Sequence, residues 1–78
     1  MSVSVYILVQ TTHDKGKSAA DAIRELQYVT SVEFLEGPYD VIARADVPSD
    51  EELGKFLLTQ VRGIDGVFRT VTLRVLNI

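Results

Sequence analysis

The sequence has no cysteine, one histidine, one methionine and two prolines among its 78 residues. Without cysteine there are no disulfides, no thiolate chemistry and no Cys-type zinc site. No metal-ligand cluster, glycine-rich phosphate loop or nucleophile motif occurs. No apolar run approaches the roughly 20 residues that a membrane span requires. The N-terminus lacks a basic-then-apolar leader, so the expected location is cytoplasmic. Basic residues are scarce as well. Eight lysines and arginines lie scattered against eleven acids, for a net charge of −3. A nucleic-acid binder gathers its cations on one face, so no direct contact with DNA or RNA is expected.

What is present reads as a folded domain. Hydrophobic residues make up 46% and charged residues 24%, the balance of a globular chain. Residues 1–78 are expected to form one domain. A domain of this size buries only about 60% of the surface its unfolded chain exposes. With neither disulfide nor metal to add stability, an interface between subunits is the expected supplement.

Residues 3–10, VSVYILVQ, alternate with a period of two and carry apolar residues on both faces, which predicts a strand covered on both sides. TTHDKGKS reads as a loop. A helix is predicted from about 16 to 27, with Ala19, Ala22, Ile23 and Leu26 as its apolar stripe. Strands are predicted at 31–36, 40–47 and 67–76. Pro48 ends the third strand. Ser49 with Glu52 three residues later is a capping-box signature. The helix it opens would bury Leu53, Phe56, Leu57 and Val61 and end near Ile64, with Gly63 and Gly66 at its exit.

The order strand-helix-strand-strand-helix-strand predicts an α+β fold: the ferredoxin-like βαββαβ plait, a four-stranded antiparallel sheet with two helices on one face. The strand order across the sheet would be last, first, third, second. If Val5, Ile7, Val9, Val71, Leu73 and Val75 face the helices, the other face receives Tyr6, Leu8, Ile42, Phe68 and Arg74, with Thr70 and Thr72. Such a mixture of large apolar and polar residues marks a partner surface. Tyr6, Leu8, Ile42, Phe68 and Arg74 are therefore the expected dimer interface.

Three motifs stand in order: Gly37, Tyr39 and Asp40 between two strands; Ile64, Gly66 and Val67 after the second helix; and Thr70 and Thr72 on the closing strand. With the SDEELGKFLLTQV helix between them, they resemble the effector-binding domain of the Lrp/AsnC transcription regulators, also called the regulation-of-amino-acid-metabolism domain. The resemblance covers nearly the whole chain. It implies the ferredoxin-like fold, dimers formed through the sheet faces, frequent assembly into octamers, and amino-acid effectors bound at subunit interfaces. Family members usually carry an N-terminal helix-turn-helix domain. Here a strand begins at about residue 3, so the expectation is a stand-alone effector domain. The expected partners are an amino-acid effector, further copies of the chain as a dimer, octamer or decamer, and a DNA-binding regulator of the same family, with no cofactor.

A free amino acid needs donors or a cation for its carboxylate, and acceptors for its ammonium group. A glycine-containing turn can bring backbone N–H groups close to an anion. Asp40 could pair with the ammonium, Tyr39 could cover the side chain, and the Thr70 and Thr72 hydroxyls serve either polarity. Each residue also has an ordinary role. Gly37 and Pro38 suit a turn, Asp40 can bond local backbone, and threonines suit a strand. Tyr39 is the one a turn does not require. Two alternatives compete with effector binding. One is a ligand-independent module that pairs with full-length regulators. The other is a small cofactor-free enzyme using His13 as base, which lacks any acid/base partner at recognisable spacing. No enzyme is expected.

Overall fold

The structure is a computed structural model and describes residues 2–76. Its elements are β1 (Val3–Thr11), α1 (Gly16–Arg24), β2 (Val29–Phe34), β3 (Val41–Val47), α2 (Asp50–Lys55) and β4 (Val67–Arg74). The helical path of α2 continues through Phe56–Val61 as a wider π-helix, in which the Arg62 N–H donates to the Leu57 carbonyl at 3.0 Å. The four strands form one antiparallel sheet in the order β2-β3-β1-β4. This is the α+β plait and strand order that the sequence predicts.

The core sits between the sheet and the helices. Val5, Ile7 and Val9 of β1 stand opposite Ala45, Ala43 and Val41 of β3, and all six are fully buried or nearly so. Helix α1 closes over β2 through small residues, Ala19 and Ala20, together with Ile23. Ala20 is buried and Ala22 only half-buried, so the apolar stripe lies slightly to one side of the predicted one. From the second helical segment Leu53, Phe56 and Val61 complete the core. Phe56 meets Tyr28 edge-on, with ring centroids 5.6 Å apart. At ~25 cal/mol per Å² this apolar burial is the main stabilising term.

Ser49 caps α2 as predicted: its hydroxyl accepts the Glu52 N–H at 3.2 Å. The Glu52 carboxylate is turned toward Tyr28 and accepts the phenol hydrogen at 3.3 Å. Tyr28 occupies the left-handed region at φ 80°. Burial, followed by the nearby Glu52 charge, raises its pKa above the usual phenol value.

One expectation is reversed. The register places Val5, Ile7 and Val9 opposite Arg74, Thr72 and Thr70, and Tyr6, Leu8 and Gln10 opposite Leu73, Val71 and Arg69. Directly paired residues point to the same face. Thr70, Thr72 and Arg74 therefore share the helix side, while Val71 and Leu73 lie on the open face. The cause is the placement of the helices. They pack on β1, β2 and β3 and make little contact with β4. The helix side of this edge strand thus tolerates hydroxyls and an arginine, whereas its apolar residues join the open face. Arg74 accordingly reaches Asp50 at the start of α2, at 2.6 Å. Phe68 sits where the β1/β4 register shifts and is 67% exposed.

Candidate ligand-binding cleft

In the sheet order β1 runs beside β3, so the exit of β1 lies next to the turn that leads into β3. The β2–β3 turn is tied down at this junction. Asp40 donates its N–H to the Val9 carbonyl at 2.9 Å and accepts the Leu35 N–H on its own carbonyl at 2.7 Å. Its carboxylate Oδ2 accepts the Thr11 N–H at 2.8 Å. Gln10 Nε2 donates to the Pro38 carbonyl at 2.8 Å. Gly37 has φ +155°, a conformation that side-chain-bearing residues rarely adopt, and the space beside its Cα is open.

These bonds frame an open cleft of about 880 Å³. Its walls are residues 11–14 after β1, Gly16 and Lys17 at the start of α1, and residues 34–37 with Asp40 from the turn. The floor is tightly set on one side: a Cβ at Gly16 would lie 2.7 Å from the Phe34 ring. Phe34 is 58% exposed and Leu35 is also exposed, which gives the cleft an apolar wall. No side chain caps the start of α1, and no acid lies in its first turn. Its free N–H groups and the positive end of its dipole therefore remain directed outward. Lys17 lies 3.3 Å from Asp21.

Of the residues singled out in the sequence, Gly37 and Asp40 are brought together in this cleft. Tyr39 is half-buried and does not line it. Thr70 pairs with Val9, and so stands across β1 from Asp40. Thr72 pairs with Ile7, one step further along β4. The loop residues 11–14, Lys17 and Phe34 were not foreseen as cleft walls. Their signal was the predicted strand order, which already set the end of β1 against the start of β3. His13 is 94% exposed at its side chain, with Nε2 3.3 Å from Asp14. It lines the cleft with its ring in open solvent, and Asp14 is itself 81% exposed, so the pair lacks the fixed orientation that a general base requires.

The open face of the sheet is the second feature. Tyr6 and Arg44 are cross-strand partners, as are Leu8 and Ile42. With Val71 and Leu73 they form an apolar patch more continuous than the threonines would have made. Tyr6 is 36% and Leu73 49% exposed. Arg44 lies 5.4 Å from the Tyr6 ring centroid and donates to its hydroxyl at 3.1 Å. That hydrogen bond raises the Arg44 pKa, against an opposing effect of burial. Arg44 is thus a fixed positive charge at the edge of an apolar surface.

The family model of the Lrp/AsnC ligand binding domain matches residues 4–78. The chain belongs to the Lrp/AsnC family. An uncharacterized HTH-type transcriptional regulator of Pyrococcus furiosus is 28% identical over 76 residues, which are 94% of this Lrp/AsnC domain and 51% of that protein. The chain spans about half the length of the curated relatives it matches. AsnC of E. coli superposes with a TM-score of 0.90 at 25% identity, over 97% of this chain and 52% of that one. A Neisseria meningitidis transcriptional regulator solved in complex with L-Met superposes with a TM-score of 0.84 at 21% identity, over 96% and 50% of the two chains. The last likeness is one of fold. The chain is thus a regulatory ligand-binding domain of the kind found in transcriptional regulators. Among the described residues no helix is long and apolar enough to cross a membrane.

Proposed function

We propose that this Lrp/AsnC domain binds a free amino acid in the cleft at the β2–β3 turn, and that binding shifts its assembly with further copies. The observation that carries this reading is the meeting of three kinds of group in one open cleft. These are the Asp40 carboxylate with the open backbone at Gly37, the uncapped start of α1, and the apolar wall of Phe34 and Leu35. They match the ammonium, carboxylate and side chain of an amino acid, respectively. The L-Met complex of the Neisseria regulator supports the ligand class.

The open face supports self-association. Tyr6, Leu8, Ile42, Val71 and Leu73 would be covered by the same face of a second copy. Arg74 takes no part in that surface in this reading, since it faces α2. Phe68 stands at its margin. Thr70 and Thr72 would reach a ligand from across β1 or from a neighbouring subunit. The transcriptional output would run through a DNA-binding partner of the same family, since this chain is acidic and its cations are dispersed.

The test is a thermal-shift screen of the common amino acids, with Asp40→Ala as control. At a hundred times its dissociation constant, a ligand specific to the native state adds about 2.7 kcal/mol. The expected result is a raised melting temperature with a subset of amino acids, and loss of that shift in Asp40→Ala. No shift with any amino acid would refute ligand binding. The apolar open face also fits a second reading, in which the domain pairs with a full-length regulator and needs no ligand. A regulator captured from the host cell regardless of amino-acid supply would favour it.

A further inference from the structure

The charge of the cleft goes beyond what recognition of a generic amino acid requires. Asp14, Glu36 and Asp40 all line it. Lys17 is the lysine on its wall, and Asp21 already shares that charge at 3.3 Å. Lys15, the neighbouring lysine, is held 3.1 Å from Asp65. A zwitterion with a neutral side chain brings one positive and one negative group. Its carboxylate would take the start of α1 and Lys17, and its ammonium one of the three carboxylates. The cleft would then retain a surplus of negative charge beside an exposed apolar wall, Phe34 at 58% and Leu35 at 38% exposure. An aliphatic stem laid along that wall and ending in a cation would satisfy both features.

We infer that the cleft selects a ligand with a cationic group at the end of an aliphatic chain, of the class of a basic amino acid. The inference rests on the reading of the cleft as the amino-acid site. Glu36 is the group best suited to the distal cation. It is exposed at the cleft wall, and its carboxylate is not tied to backbone as that of Asp40 is. Like-charge repulsion among the carboxylates falls when a cation enters, so the preference should weaken with added salt.

The experiment is isothermal titration of the full chain at low salt with L-lysine, L-arginine, L-norleucine and L-glutamate. Norleucine has the stem of lysine without its ammonium, so the ratio isolates the charge. A roughly two- to fivefold preference for L-lysine over L-norleucine is expected for exposed charge pairs, with L-glutamate weakest. Raising the salt, or Glu36→Gln, should bring the ratio toward one. Since Glu36 is exposed in a turn, that variant should fold. The diamine 1,5-diaminopentane tests the source of the cation. Weaker binding than lysine supports an amino acid held by its carboxylate, whereas equal binding overturns that assignment in favour of a diamine. Norleucine or glutamate binding as tightly as lysine overturns the inference and leaves the amino-acid site standing. So does a lysine preference that Glu36→Gln does not reduce. Failure of all four amino acids to bind overturns the inference, and the underlying reading of the site falls with it only if the thermal-shift screen of the common amino acids is also blank.

Discussion

The Asp40 carboxylate holds the Thr11 N–H, and two further backbone bonds of the same residue fasten the turn to β1 and β2. Asp40→Ala leaves that half-buried donor without its acceptor, at a cost of about 1–3 kcal/mol. Asp40→Asn keeps an oxygen in place and removes the charge. Urea unfolding of the two variants is expected to show a clear loss for alanine and a much smaller one for asparagine. If both also abolish the amino-acid-induced thermal shift, charge and not loop collapse is responsible. Tyr28 gives a second residue-level expectation. Its folded-state pKa lies above the usual phenol value of 10.0 because burial and Glu52 both disfavour the phenolate. A raised pKa means the native state holds the proton more tightly than the unfolded chain. The stability it contributes is fully present below pH 10 and is lost as pH rises through the raised value. Urea midpoints measured from pH 8 upward should therefore fall above pH 10, with a shallower fall in Tyr28→Phe.

The elements differ in how plainly the sequence announces them. β1 and β3 alternate strictly, and their partners are apolar on the core side, so their faces and pairing can be read directly. The face of β4 cannot. VFRTVTLR offers an apolar residue on either parity, and the period alone does not say which side the helices leave bare. Only the position of the helix layer over β1, β2 and β3 decides it. The second helix was legible in its start, through Ser49, and not in its π-helical continuation. There Thr59 also bonds back to the Lys55 carbonyl at 2.6 Å, a contact that competes with regular helix geometry. In the cleft, Gly37 and Asp40 were marked by turn chemistry. Its walls from 11–14 and Phe34 follow only from three-dimensional adjacency. The corrected face of β4 has a testable consequence. Val71→Asp places a charge in the centre of the open patch and should reduce the assembled mass. Thr72→Asp, on the opposite side of the same strand, should leave the mass unchanged. Light scattering after size exclusion distinguishes the two.

The whole molecule is a flat plate with principal extents of 37 × 25 × 18 Å. Its accessible surface is 5114 Å², against roughly 4,700 Å² expected for a compact monomer of its mass. The helices cover one face of the sheet, and the other lacks a cover among the described residues. Burying a few of its large side chains against a second copy would contribute several kcal/mol at ~25 cal/mol per Å². For a small domain without disulfides that is a large share of total stability. Ligand binding and assembly then become linked, because a ligand that prefers the assembled state draws copies together by its differential affinity. The most direct check on this account is the sedimentation-equilibrium mass of the purified chain. Association predicts at least twice the 8.7 kDa of one chain, rising further or holding more firmly on dilution when the bound amino acid is present. A single species of 8.7 kDa at working concentrations, unchanged by any amino acid, would contradict it.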